Sequence, residues 1–91
     1  PFSNGPLFDY LDKELRAMKA DLIDEHYYRN PEWFLGNANR YDNYDRKGPK
    51  IFAGEYASHV EGISNGLVRN NWLAALSEAA FMTGLERNAD I

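Results

Sequence analysis

Apolar and polar positions follow two different periods along this chain, which predicts a mixture of helices and strands. Residues 7–19 carry apolar side chains at spacings of three and four among charged ones, so we expect an amphipathic helix that begins after Gly5-Pro6. Residues 20–28 alternate instead, which fits a strand. One face of that strand would carry Leu22, Asp24, His26 and Tyr28.

The second half of the chain repeats this order. Asn30 and Pro31 supply an N-cap and a first helical residue, and Asn70 or Asn71 caps a later helix. The predicted segments are a helix over 31–46, a strand over 50–57, a loop over 58–70 and a helix over 71–87. The buried side of the last helix is expected to consist of Trp72, Leu73, Leu76, Ala79, Ala80 and Leu85.

Alternating helices and strands indicate βαβ units and therefore an α/β fold with a parallel sheet. Two strands close neither a barrel nor a protected sheet, and residues 88–91 resemble the start of another strand. We therefore expect the chain to be a piece of a larger domain.

Composition narrows the possible functions. The 91 residues carry a net charge of −4, and the cations are scattered, so a nucleic-acid-binding surface is not expected. The absence of cysteine excludes disulfides and thiolate metal sites. No apolar stretch approaches the roughly 20 residues that span a bilayer, so no membrane partner is expected either.

The strand over 50–57 ends with the candidate functional residue, Glu55. Its apolar run predicts a strand covered on both faces, and alternation places Glu55 on the same face as Ile51 and Ala53. The carboxyl ends of parallel strands are where α/β folds place their chemistry. Since Glu55 follows His26 by 29 residues, about one βα repeat, neighbouring strands would bring His26, Tyr28 and Glu55 together.

Three blocks of sequence resemble one enzyme family. They are Asp24-Glu25-His26-Tyr27-Tyr28 with Pro31-Glu32-Trp33-Phe34, then Gly54-Glu55-Tyr56-Ala57, then the run from Ala74 to Asn88. In this order and spacing they are similar to glycoside hydrolase family 51, the retaining α-L-arabinofuranosidases. The resemblance covers the chain from about Phe8 to Ile91.

The resemblance implies a fold and a set of roles. The chain would be a fragment of a (β/α)8 TIM barrel, from helix five to the start of strand eight. Glu55 would be the catalytic nucleophile, and His26 and Tyr28 would bind the substrate, with Tyr28 orienting Glu55. The acid/base would lie upstream of Pro1, so the chain alone would be inactive.

The same resemblance implies the partners of the parent protein. Its substrate would be an arabinose-containing carbohydrate, and no cofactor and no metal are expected. A homo-oligomer is possible, and a secreted or periplasmic location is favoured over a cytoplasmic one.

Other interpretations of these residues stay open at the level of sequence. Glu55 could be a strand-end acid paired with Arg46 or Lys50, and His26 a core histidine. Ser58 and His59 could imitate part of a catalytic triad, although no elbow motif precedes the serine. A metal site could be drawn from Glu25, His26, Glu55 and His59, but typical metal-binding spacings are absent. The chain could also be a non-catalytic packing module, or part of another retaining glycosidase of the same barrel clan.

Overall fold

The computed structural model describes residues 5–59 and 71–91. These residues form helices and strands in alternating order: α1 (Pro6–Ala17), β1 (Leu22–Arg29), α2 (Pro31–Gly36), β2 (Lys50–Ser58) and α3 (Trp72–Arg87). This mixture of helices and strands belongs to the α/β class. Among the helices described, none combines the length and the apolar character needed to cross a membrane.

β1 and β2 pair side by side in a two-stranded sheet. The Lys50 N–H donates to the Asp21 carbonyl at 2.9 Å, and the His59 N–H donates to the Arg29 carbonyl at 2.7 Å. Because both residue numbers rise together, the strands are parallel, and a residue of β1 lies near the residue 29 or 30 positions later. The parallel sheet of the sequence prediction is therefore present.

The C-terminal residues differ from the predicted start of a further strand. Residues 88–90 form a turn. Ile91 lies beside β2, where its carbonyl accepts a hydrogen bond of 2.9 Å from the Ile51 N–H.

The described residues divide into two compact units. The first holds residues 5–27, 44–56 and 90–91, and the second holds residues 28–43, 57–59 and 71–89.

α1 begins and ends with recognisable signals in the first unit. Gly5 precedes it at φ 94°, a conformation that suits glycine, and Pro6 occupies the first turn. Two C-terminal bonds, from the Lys19 N–H to the Arg16 carbonyl and from the Ala20 N–H to the Leu15 carbonyl, form a Schellman motif. This motif ends the helix at Ala17, before the predicted residue 19.

β1 begins at Leu22 rather than at residue 20, and its two faces differ sharply. Ile23, Glu25 and Tyr27 are buried, whereas the face that carries Asp24 and His26 is open. The buried Glu25 carboxylate accepts hydrogen bonds from the hydroxyls of Tyr27 and Tyr44, the latter at 3.2 Å. These two donors satisfy a charge that burial alone would penalise.

The expectation that the second strand is covered on both faces is wrong. Ile51 and Ala53 are half-buried, but Phe52, on the other face, is 57% exposed. A continuous apolar run shows only that a strand can be buried, and here one face of β2 stays open.

The helix predicted over 31–46 is much shorter. Asn30 caps it through the Trp33 N–H at 2.8 Å, but α2 ends at Gly36. The Asn37 side chain donates to the Trp33 carbonyl at 2.7 Å, and turns follow over residues 37–43. Asn and Asp side chains compete with helical hydrogen bonds in this way, which explains the early end.

α3 packs against α2 in the second unit through a stripe that the sequence did not predict. The buried residues of α3 are Ala74, Ser77, Phe81 and Gly84. Phe81 meets Phe34 edge to face, with ring centroids 5.3 Å apart. A Cβ on Gly84 would collide with the Ala38 carbonyl oxygen. Small residues therefore allow the close approach, and the expected buried side is wrong: Trp72 is 77% exposed and Leu73 and Leu76 are also exposed.

Candidate active site

The open face of β1 and the end of β2 meet in the first unit at His26 and Glu55. The parallel register sets these two residues side by side because they are 29 positions apart. His26 Nδ1 lies 3.7 Å from Glu55 Oε2, within ion-pair range and longer than a hydrogen bond. Of the three side chains that the sequence predicted to meet, the imidazole of His26 and the carboxylate of Glu55 are thus brought together.

The Glu55 carboxylate is accessible. Its side chain is 56% exposed, and the His26 side chain is 31% exposed. A carboxylate nucleophile must reach the carbon that it attacks, and this exposure leaves Glu55 free to do so.

A third residue, Asp24, completes this group, and the sequence analysis gave it no role. Asp24 Oδ2 lies 2.8 Å from His26 Nε2, and Asp24 Oδ1 accepts the Gly54 N–H at 3.1 Å. The hydrogen bond with His26, and then that with Gly54, lowers the pKa of Asp24 below its ordinary value. The signal for this residue was present in the sequence, because Asp24 precedes His26 by two positions on the same strand face.

Tyr28, the third residue predicted for this site, belongs to the second unit. Its exposed ring lies 5.6 Å from the His59 ring between centroids. The expectation that Tyr28 orients Glu55 and binds the substrate stays a prediction.

Arg46 and Lys50, the two cations that could pair with Glu55 as a strand-end acid, both contact Asp90. Arg46 Nε lies 3.2 Å from Asp90 Oδ2, and the Lys50 ammonium donates to the Asp90 carbonyl. His26 is not a core histidine satisfied by a backbone carbonyl, since its two ring nitrogens face the carboxylates of Asp24 and Glu55.

The alternative catalytic triad is contradicted by the surroundings of Ser58. This serine is buried, and its Oγ accepts a hydrogen bond of 3.0 Å from the Ser77 hydroxyl. Its N–H donates to Glu78 at 2.7 Å, so both groups serve the packing of β2 against α3. A nucleophile must reach its substrate, and this hydroxyl is closed off.

The alternative metal site would need Glu25 and His26 as ligands, but these neighbours lie on opposite faces of β1. Glu25 points into the buried face of β1, where tyrosine hydroxyls bind it, while His26 lies on the open face. Within residues 5–59 and 71–91, no cluster of three or more His, Cys, Asp or Glu side chains is arranged to hold a metal ion.

The expected loop over 58–70 begins later than predicted and mostly lies outside the described residues. β2 continues through Ser58, and His59 still pairs with Arg29, while residues 60–70 are not described.

The known proteins to which this chain is similar are named for the same activity. The chain is 53% identical over 91 residues to an extracellular exo-α-L-arabinofuranosidase of Streptomyces chartreusis, a match that covers 100% of the chain and 10% of that protein. It is 44% identical over 72 residues to α-L-arabinofuranosidase 2 of Arabidopsis thaliana, with 79% of the chain and 10% of the relative covered. A probable α-L-arabinofuranosidase A of Emericella nidulans is 35% identical over 68 residues, 75% of the chain and 12% of the relative.

Neither a family model nor a solved structure matches the chain. All three relatives named above are α-L-arabinofuranosidases, and the chain spans about a tenth of their length.

Proposed function

We propose that this chain is part of a retaining α-L-arabinofuranosidase of glycoside hydrolase family 51. The enzyme releases terminal α-L-arabinofuranosyl residues from arabinose-containing polysaccharides or oligosaccharides. The observation that carries this proposal is the similarity of the whole chain, at 53% identity, to an enzyme named an exo-α-L-arabinofuranosidase. The exposed carboxylate of Glu55 beside His26 also supports the proposal, because a retaining glycosidase needs an accessible carboxylate nucleophile.

The same proposal extends to the fold. The two parallel strands, each followed by a helix, are the repeating unit of a (β/α)8 barrel. We take β1 and β2 to be strands six and seven of that barrel. Glu55 then lies at the carboxyl end of strand seven, on the barrel face where enzymes of this fold carry their chemistry.

In the proposed reaction Glu55 is the nucleophile. Its carboxylate oxygen forms a bond to the anomeric carbon while the bond from that carbon to the leaving oxygen breaks, which gives a covalent glycosyl-enzyme. A second carboxyl group, contributed by a part of the protein outside this chain, protonates the leaving oxygen. The same group then takes a proton from water, whose oxygen displaces Glu55 and releases arabinose.

In this proposal His26 interacts with both the Glu55 carboxylate and the sugar. When the ring is protonated, its Nδ1–H, with Nδ1 3.7 Å from Glu55 Oε2, can pair with that carboxylate or donate to a sugar hydroxyl. Tyr28 is assigned a second contact to the sugar and to Glu55, as the family resemblance implies.

The test uses the full-length protein and two chromogenic substrates. We expect hydrolysis of 4-nitrophenyl α-L-arabinofuranoside in preference to 4-nitrophenyl β-D-xyloside. Glu55→Ala should abolish this turnover, and external azide should restore part of it, because azide can replace the missing nucleophile. Glu14→Gln, which alters an exposed carboxylate of α1, is the matched control and should keep full activity.

Two results would contradict the proposal. Preference for the xyloside would point to a different glycosidase of the same barrel clan. Unchanged turnover in the Glu55→Ala variant would remove Glu55 from the reaction.

A further inference from the structure

The Asp24 carboxylate uses both of its oxygens next to Glu55. Oδ2 pairs with His26 Nε2 at 2.8 Å on its own strand, and Oδ1 accepts the Gly54 N–H at 3.1 Å from β2. Gly54 directly precedes Glu55 in the chain. One side chain therefore connects the imidazole that faces Glu55 with the backbone that carries Glu55.

The first of these bonds fixes which ring nitrogen of His26 carries a proton. An ionised carboxylate can only accept hydrogen bonds, so Nε2 must be the donor. Nδ1 is then the nitrogen left to face Glu55 Oε2, at 3.7 Å. The pKa of Asp24 is lowered by this same hydrogen bond, so Asp24 stays ionised near neutral pH.

The second bond explains a glycine. A Cβ built on Gly54 would lie 2.5 Å from Asp24 Oδ1 and 3.0 Å from a ring carbon of Phe52. The Asp24 carboxylate thus occupies the space that any other residue at position 54 would fill. A larger residue at position 54 would push against side-chain atoms, chiefly the Asp24 carboxylate, and not against the backbone.

Building on the function proposed above, we propose that Asp24 is a positioning residue for the reaction at Glu55. It orients the ring of His26 so that Nδ1 faces Glu55, it keeps the proton of the neutral ring on Nε2, and Gly54 leaves room for its carboxylate. Asp24 itself acts through His26 and Gly54, not on the reacting atoms.

The first experiment reads the ring of His26 directly and does not depend on activity. Histidine in the full-length protein is labelled with ¹⁵N, His26→Gln assigns the signals, and spectra are recorded at a pH where the ring is neutral. In the unmodified protein we expect the proton on Nε2. In Asp24→Asn the side-chain amide can keep its oxygen on the Gly54 N–H and donate to Nε2, so the proton should move to Nδ1. An identical tautomer in both proteins would overturn the proposal.

The second experiment measures turnover. Asp24→Asn should lower kcat by about 10- to 100-fold with a smaller change in KM, and should change the pH profile of kcat, because a misplaced second group costs this much without removing the nucleophile. Asp21→Asn is the control, since Asp21 is exposed and pairs with Lys50 through its backbone carbonyl. If Glu55→Ala abolishes turnover while Asp24→Asn turns over like the unmodified protein, this inference fails and the proposed function stands. If the unmodified protein does not hydrolyse the arabinofuranoside, the proposed function fails, and the tautomer measurement still decides the role of Asp24.

A double-mutant cycle isolates the contact between Asp24 and Gly54. Gly54→Ala should lower kcat in the unmodified background because its methyl group displaces Asp24. In the Asp24→Ala background the same change should cost little more, since the carboxylate it displaces is already gone. Equal losses in both backgrounds would show that Gly54 serves the backbone of Glu55 independently of Asp24, and would overturn the proposed link.

Discussion

Asp24 and Glu25 are neighbours in the sequence, and the two faces of β1 give their carboxylates opposite surroundings. Glu25 is 0% exposed and is satisfied by the hydroxyls of Tyr27 and Tyr44. Asp24 is exposed and is bonded to an imidazole and to a backbone N–H of the next strand. Glu25 therefore stabilises the fold through its tyrosine hydrogen bonds, whereas Asp24 binds a histidine whose other nitrogen faces Glu55. A residue type alone therefore says little about role, and the strand face decides it.

The largest expected effect on stability is at the buried acid. Glu25→Ala should lower the free energy of unfolding by about 3 kcal/mol, because it leaves the buried Tyr27 hydroxyl and the half-buried Tyr44 hydroxyl without their acceptor. Urea unfolding of the full-length protein, followed by tryptophan fluorescence, measures it, and Glu25→Gln, which keeps an acceptor oxygen, should lose less. A loss no larger than that of an exposed-site variant would contradict the structural role of Glu25.

Removing one donor to Glu25 should have an intermediate effect. Tyr44→Phe deletes the hydroxyl that lies 3.2 Å from Glu25 Oε1, and we expect a loss of about 1 kcal/mol in the same assay. Tyr10, which is 60% exposed on α1, offers the matched control in Tyr10→Phe. Equal stability of the two tyrosine variants would show that the hydroxyl of Tyr44 contributes nothing.

Asp24, the exposed acid, should make the stability of the protein depend on pH. The pKa of Asp24 is lowered in the folded state from its ordinary value of 3.8, chiefly by its hydrogen bond with His26. Its contribution to stability is therefore fully present above that value and is lost as the pH falls through the folded-state pKa. Urea midpoints measured from about pH 6 to pH 2 should fall less steeply in Asp24→Asn than in the unmodified protein. Parallel curves would contradict the lowered pKa.

The smallest expected change in stability is at Glu55. Because its side chain is 56% exposed, Glu55→Gln should alter the free energy of unfolding by no more than about 0.5 kcal/mol, although it should remove turnover. This separation of stability from activity is the reverse of the result expected at Glu25. A destabilisation comparable to that of Glu25→Ala would mean that Glu55 is a structural acid.

The parts of this fold that local signals specify could be predicted from the sequence. Asn30 with Pro31 and Gly5 with Pro6 mark helix starts. Alternation identifies the first strand, an apolar run identifies the second, and the spacing of 29 residues predicts the proximity of His26 to Glu55. The early end of α2 is harder to predict, because the apolar stripe continues to Tyr44 while Asn37 redirects the hydrogen bonds.

Features set by tertiary packing could not be predicted. The buried stripe of α3 is chosen by its approach to α2, where Gly84 passes the Ala38 carbonyl, and hydrophobicity alone favours Trp72 and Leu73 instead. The role of Asp24 depends on strand register as well as on alternation, since Gly54 must lie within reach of its carboxylate.

The central claim, that Glu55 is the nucleophile, is tested most directly by trapping the glycosyl-enzyme. The full-length protein is mixed with an activated arabinofuranoside, quenched in acid, cleaved with trypsin and mapped by mass spectrometry. The account predicts an added arabinosyl mass on the peptide 51–69, at Glu55 rather than Glu61. Label on the peptide 20–29, which carries Asp24 and Glu25, or no covalent label at all during turnover, would contradict it.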